Sequence, residues 1–238
     1  SNTALGKQAM QANTTASNGT AVGFSALYAN TTGRDNTAVG FSAGITNTTG
    51  LENTALGMYA LRFNTTGNTN TALGLQALHR NTTASDNTAV GRNSMEQNTT
   101  GAQNVAVGSL ALDANTEGDN NVSLGYGSLT ANTTADNNVA IGRTALEANT
   151  TGAGNVAVGK DALIANTTAS NNVAVGMDAL TANTEGHSNT AVGRDSGNAI
   201  TTGDNNLCLG YQAGISGSPG GAITTGDNFI CLGDENVT

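Results

Sequence analysis

The sequence predicts an all-β chain: a parallel β-roll, or β-solenoid, of seventeen-residue coils. Three observations carry that expectation. Gly6, Gly23, Gly40, Gly57, Gly74, Gly91, Gly108, Gly125, Gly142, Gly159, Gly176, Gly193 and Gly210 recur every seventeen residues without a slip. Each closes a block such as Asn36-Thr37-Ala38-Val39-Gly40 or Asn155-Val156-Ala157-Val158-Gly159. Trp is absent, Phe and Tyr number four each, and charged residues make up 11% of the chain, where about 25% is usual. Loops of a globular enzyme drift in length, whereas in a stack an extra residue breaks the ladder with both neighbours. A chain so rich in Gly, Asn, Thr and Ala would be disordered without a period. Here its apolar residues return to fixed slots and can form a narrow, continuous core.

Each coil can be taken in order, counting from the block's Asn as slot zero. Slots one to three predict a short strand: Thr or Val, then Ala, then Val, Leu or Ile. Side chains alternate along a strand, so slots one and three are expected to enter a packed interior and slot two to face the other way. Slot two is Ala in eleven of thirteen blocks, a size suited to close approach of another backbone. Both strand faces then need cover, which one thin coil cannot supply alone. The ladder of Ala38, Ala55, Ala72, Ala106, Ala140 and Ala174 is therefore expected to line the shared axis of a homotrimer. The slot-four glycines, including Gly23, Gly40, Gly57, Gly74, Gly108, Gly142 and Gly176, are expected in tight turns with positive φ. Slots seven and eight, Ala or Ser and then mostly Leu or Met, predict an apolar corner. Asn at slots zero and eleven tolerates left-handed backbone and can stack its amides along the coils. Paired Thr at slots twelve and thirteen favours a second short strand. At about 4.8 Å per coil, thirteen coils predict a rod of roughly 60 Å.

Slot one is Thr from Thr3 to Thr88, Val from Val105 to Val173, and Thr again at Thr190. This predicts a drier middle section within one repeat domain, residues 1–205. Residues 206–238 break the period, because Gly203 to Gly210 and Gly226 to Gly233 repeat at a spacing of twenty-three. The extra residues around Ser216-Gly217-Ser218-Pro219-Gly220-Gly221 are expected to cap the stack or lead into another fibre element. Cys208 and Cys231 hold slot two of the last two blocks. Stacking sets their Cα atoms about 4.8 Å apart, within disulfide range, although side-by-side Cβ vectors suit a bridge poorly. Small buried residues in place of Ala are the preferred reading, and a bridge is the alternative. The chain starts and stops inside its pattern, at Ser1-Asn2-Thr3 and Glu235-Asn236-Val237-Thr238, and is expected to be a segment of a longer protein.

The net charge is −9 and the eight Lys and Arg are scattered, so no basic stripe exists to neutralise phosphates and no nucleic acid is expected as a partner. No apolar run is long enough to span a bilayer, so this segment is not expected to insert into a membrane. No cofactor and no metal are expected.

The block, above all Asn138-Val139-Ala140-Ile141-Gly142, resembles the head repeat of YadA-type trimeric autotransporter adhesins. It also resembles the longer arrays of tail-fibre-domain proteins in bacteria and phages. The resemblance covers nearly the whole chain, and it is specific for architecture rather than ligand. It implies parallel β-rolls, wound left-handed and trimerised side by side, in an extracellular place on a cell surface or virion fibre. The seventeen-residue period is longer than is typical of the adhesin repeat.

The chemistry-bearing residues are few. His79 and His187 lie many coils apart with no Ser-Asp or Cys pair beside them, so no catalytic site is expected. Gly-Asp-Asn segments at Gly118, Gly203 and Gly226 could offer oxygens to Ca²⁺, but most coils lack the acid, and turn chemistry is the simpler account. Nine Asn-Thr-Thr triplets match the glycosylation sequon and recur because the coil recurs. Asp161, Asp178 and Asp195 stack at slot six, a poor arrangement for the paired carboxylates of a polysaccharide-cleaving tailspike. The main departure from uniformity is a stripe at slot five, Phe24, Phe41, Met58 and Leu75. Tyr28, Ile45 and Arg62 lie beside it at slot nine, with Tyr59 and Phe63 nearby. It is either a receptor patch or packing against a neighbouring protomer, and packing is preferred because Leu and Met are as common there as aromatics. The expected function is a non-enzymatic structural and adhesive segment of a trimeric surface or tail fibre. It would act as a stiff spacer and make contacts to a surface glycan or protein receptor on a host or prey. The alternative is a monomeric ice-binding or carbohydrate-binding β-solenoid.

Overall fold

Every triplet at slots one to three is a three-residue strand in the computed structural model, which describes residues 1–218 and 221–233. The chain divides into two units, Ser1–Asn120 and Asn121–Thr238. Each is a parallel β-solenoid, and no helix occurs among the described residues. The first unit holds β1 (Thr3–Leu5), β2 (Thr20–Val22), β3 (Thr37–Val39), β4 (Thr54–Leu56), β5 (Thr71–Leu73), β6 (Thr88–Val90) and β7 (Val105–Val107). The second holds β8 (Val122–Leu124), β9 (Val139–Ile141), β10 (Val156–Val158), β11 (Val173–Val175), β12 (Thr190–Val192), β13 (Leu207–Leu209) and β14 (Ile230–Leu232). Within each unit every strand pairs in parallel with the next at equivalent slots, as in Ala38↔Ala55 and Ala157↔Ala174. The period change does not interrupt pairing, since β13 pairs with β12 and, at a spacing of twenty-three, with β14. Pro219 and Gly220 of the inserted corner, and residues 234–238, lie outside the described residues.

The strand faces are the reverse of the sequence expectation. Ala38, Ala72, Ala106, Ala140 and Ala174 are 0% exposed, and Ala55 is 2% exposed, each inside its own coil. They cannot line an axis shared with other chains, so the trimer-axis assignment of this ladder is corrected. Slots one and three face outward instead, where Leu56, Leu73, Val107 and Ile141 stand exposed. The reason is packing inside the coil. The slot-eight Leu already fills the coil's interior, so only a methyl group fits at slot two, and the larger Val, Leu, Ile and Thr side chains stand outside.

The corner is built from backbone that L-residues rarely adopt. The slot-four glycines are at positive φ as expected, with Gly57 at 136° and Gly142 at 139°. Two slots after most of these glycines, and again two slots later, a non-glycine residue is left-handed, as at Tyr59 (60°) and Leu61 (49°) or Gln76 (57°) and Leu78 (48°); Gly44, Gly127, Gly197 and Gly214 take the place in other coils. A left-handed L-residue costs about 1–2 kcal/mol. The slot-eight Leu that bears this strain is fully buried, as at Leu78, Leu112 and Leu146. That burial returns about 1.5–3 kcal/mol per side chain. The slot-zero and slot-eleven asparagines do not adopt the left-handed backbone expected of them; the left-handed residues lie at slots six, eight and sixteen.

Slots twelve and thirteen are bends rather than the expected second strand. Both their N–H groups converge on one carbonyl of the next coil: Thr48 N and Thr49 N donate to Thr65 O at 2.9 and 3.2 Å. The Thr48 hydroxyl donates to the same oxygen at 3.0 Å. A strand needs one carbonyl per amide, and this convergence prevents it.

Asparagine stacking holds as expected. Asn36 and Asn47 are buried and both send Nδ2 to the carbonyl of Gly50, at 2.7 and 3.0 Å. Asn47 Nδ2 also reaches Asn30 Oδ1 in the preceding coil at 2.9 Å, and Asn36 Oδ1 accepts from Asn53 N at 2.9 Å. Amides supply both donors and acceptors, so a buried polar spine is satisfied coil by coil. The slot-eleven spine ends where Ile200 replaces Asn, leaving Asn183 Oδ1 buried without a partner.

A corner cluster on the first unit

In coils two to five the corner carries side chains that other coils lack. Phe24 and Phe41 stack at 5.2 Å, and Phe41 meets Tyr59 edge-on at 5.4 Å. Tyr59 in turn meets His79 at 6.1 Å, and Phe63 meets His79 at 5.1 Å. The Arg62 guanidinium lies over both Tyr59 and Phe63, 4.6 and 5.0 Å from the ring centres. The coil spacing brings these residues together, because a side chain at one slot meets its equivalent one strand spacing away. Of the stripe residues, Phe24, Phe41, Met58 and Phe63 are exposed, and Ile45, Tyr59, Arg62 and Leu75 are half-buried. Tyr28 lies at the edge of exposure.

Slot nine runs Tyr28, Ile45, Arg62, His79, Glu96 and Asp113 through successive coils. His79 is buried and neither ring nitrogen has a hydrogen-bond partner. Burial lowers its pKa against the pull of Glu96, and Arg62 and Arg80 lower it further, so it is neutral at pH 7. Asp113 behaves oppositely. Burial first, then the Glu96 carboxylate, raises its pKa to about 6, with Arg92 opposing. Glu96 itself accepts from Asn93 Nδ2 at 2.5 Å.

The linkage sign for Asp113 is fixed by that direction. The folded carboxyl holds its proton more tightly than the unfolded one, so its contribution falls as pH rises from about 4 through about 6. Asp113→Asn is therefore expected to raise the melting temperature at pH 7.5 by about 2 °C and to leave it nearly unchanged at pH 4. Calorimetric scans of both proteins at the two pH values measure this; an equal shift at both would mean the gain does not come from the proton.

Asp161 at slot six differs from Asp113. Burial pushes Asp161 upward, but hydrogen bonds from Lys160 and Thr144 and the charges of Lys160 and Arg143 outweigh it and hold the carboxyl below its ordinary value. It is a carboxylate at neutral pH, without the raised pKa of a general acid. Asp195 pairs with Arg194 at 3.2 Å. Cys208 and Cys231 are register partners, both buried and not bridged. Burial and then Cys231 raise the Cys208 thiol to about 11. Among the described residues no three His, Cys, Asp or Glu are placed to hold a metal ion, and no helix is long and apolar enough to cross a membrane.

Sequence reasoning found the stripe at slots five and nine with Phe63 beside it, but not Phe63's slot-ten neighbours Thr46 and Arg80. There Ala holds most coils, yet Thr46, Phe63 and Arg80 follow one another in the first unit. With Thr65, Thr82 and Thr99 of slot twelve they line a groove of about 470 Å³. The signal was available as four consecutive departures from Ala at one slot, Thr46, Phe63, Arg80 and Gln97. Comparison with protein-family models, curated proteins and solved structures finds no match to this chain.

Proposed function

We propose that this chain is a non-enzymatic structural and adhesive segment of a homotrimeric fibre, extracellular on a cell or virion surface. It serves as a stiff spacer that also makes lateral receptor contacts. The observation that carries this reading is the outward apolar ladder. Leu56, Leu73 and Val107 in the first unit, and Ile141, Val192 and Leu209 in the second, stand exposed on the strands' outer faces. On each unit, an apolar strand face of this kind marks an association surface. Closed cyclic assembly buries it on every copy without leading to open aggregation. The resemblance of the repeat block to trimeric adhesin heads supports three copies rather than two. Stiffness follows from the backbone ladders, which tie each coil to its neighbours.

Light scattering on the unaltered chain is expected to give three times the 23.6 kDa chain mass. The double variant Leu73→Glu with Ile141→Glu is expected to run as a monomer with an unchanged circular dichroism spectrum, because both side chains already face solvent within one chain. A clean monomer for the unaltered chain would overturn the trimer. The rival reading gains one observation: the slot-one Thr ladder, Thr20 to Thr88, lies on the outer strand face beside slot three. A monomer with thermal-hysteresis activity would favour that ice-binding alternative.

A further inference from the structure

Slot ten is Ala at Ala114, Ala131, Ala148, Ala165, Ala182 and Ala199, where a methyl group suffices. Four consecutive coils depart from it with Thr46, Phe63, Arg80 and Gln97, and the first three line a groove together with Thr65, Thr82 and Thr99. Its chemistry is unusual for a Thr-lined surface. The Thr46 hydroxyl donates to the carbonyls of Arg62 and Asn64, at 2.7 and 3.0 Å. Thr65, Thr82 and Thr99 donate to the carbonyls of Thr82, Thr99 and Thr116, at 3.0, 3.1 and 2.9 Å. All four protons are committed, so each oxygen has only lone pairs left to offer a ligand. The cation at the rim is Arg80. It is exposed, and among the described residues no carboxylate forms an ion pair with it. In a chain of net charge −9, an uncompensated guanidinium beside a groove selects an anion. Phe63 is 39% exposed and supplies the apolar wall. Arg62 and the buried His79 ring lie against it, at 5.0 and 5.1 Å.

We propose that this groove binds an acidic pyranoside, a sugar ring that carries a carboxylate, as the lateral receptor contact of the fibre. The proposal rests on the adhesive part of the function proposed above and not on the trimer. The three requirements converge on one class of ligand. A pyranose presents a C–H face to Phe63, hydroxyl donors to the Thr lone pairs, and a carboxylate to Arg80. An acyl carboxylate would satisfy Phe63 and Arg80 but leave the Thr acceptors without donors, which forfeits hydrogen bonds made to water in the empty groove. A neutral sugar would leave Arg80 unpaired. Recognition through a mostly apolar groove with a few oriented polar groups is the usual form of small-ligand sites.

The test is saturation-transfer NMR and calorimetric titration of the full chain with methyl glucuronide, methyl glucoside and octanoate. The glucuronide is expected to bind with a dissociation constant of about 1 mM, or about −4 kcal/mol, and the glucoside at least tenfold more weakly. Arg80→Gln is expected to remove that preference, Arg80→Lys to retain part of it, and Phe63→Ala to abolish binding of both sugars. Arg194→Gln, in the second unit, should change nothing. No saturation transfer from the glucuronide, or equal binding by the Arg80→Gln variant, would overturn the proposal. Octanoate binding as tight as the glucuronide would overturn the saccharide and leave an apolar carboxylate. Light scattering on the same samples separates the outcomes: a trimer that binds no sugar defeats this proposal alone, and a monomer that binds sugar defeats the fibre alone.

Discussion

Gly57→Ala is expected to destabilise the chain by at least about 3 kcal/mol, the upper end of the cost of an imposed backbone outlier. Two effects add. Gly57 has φ of 136°, a conformation that an L-residue adopts only under strain, and an added Cβ would sit 2.4 Å from the carbonyl oxygen of Gly74. That oxygen belongs to the next coil, so relief would require the coils to part and the ladder to open on both sides. Gly67→Ala supplies the contrast. Its Cβ would meet Ala84 O at 2.2 Å and Asn64 Oδ1 at 2.4 Å, an approach as close as the first. Its φ is not in the left-handed region, and Ala84, Ala135 and Ala169 already occupy the same slot. The backbone there can yield, and a loss of no more than about 1 kcal/mol is expected. Urea midpoints of both variants measure the difference. Similar losses would mean that close approach alone sets the cost and that φ contributes little.

Asn64→Asp is expected to be comparably severe at pH 7, at about 3–5 kcal/mol, the range for leaving a buried charge uncompensated. Asn64 is 0% exposed. Its Nδ2 donates to Asn47 Oδ1 at 2.8 Å and to Gly67 O at 2.9 Å, and its Oδ1 accepts from Asn81 Nδ2 at 2.9 Å. A carboxylate keeps the acceptor but turns both donor contacts into oxygen against oxygen. Burial and those two oxygens favour the protonated acid, so the loss should shrink as pH falls and the acid regains one donor. Denaturation at pH 7 and pH 4 tests this. A loss independent of pH would place the cost in geometry rather than charge. Gly57 and Asn64 act through the same property: in a stack every error is shared with two neighbours.

The corner cluster was partly legible. Phe24, Phe41, Met58 and Leu75 form an unbroken apolar run at slot five, where later coils alternate Arg or Lys with Ser109, Tyr126, Met177 and Tyr211, and the run survives as an exposed aromatic contact. Arg80 was not legible as a site residue, because a single surface Arg is ordinary and only the closure of the coils sets it beside Phe63 and the slot-twelve Thr. The raised pKa of Asp113 was not readable either. It depends on burial and on a Glu96 neighbour seventeen residues away, both set by how the coils close.

The sequence by itself determined the coil: its length, its parallel register, its positive-φ glycines and its asparagine spines. Those follow from strict repetition, because only an in-register stack satisfies the same slot in every copy. Only the tertiary structure decided which strand face points inward. Alternation tells that slot two opposes slots one and three, but it leaves the choice of side open. Residue size first suggested that Ala met another chain. Packing inside a single coil decides otherwise, since the slot-eight Leu fills the interior, Ala occupies what remains, and the Val, Leu and Thr ladders are left outside. The Ala ladder thus belongs to the core of one chain, and the strand's other face is the one turned outward.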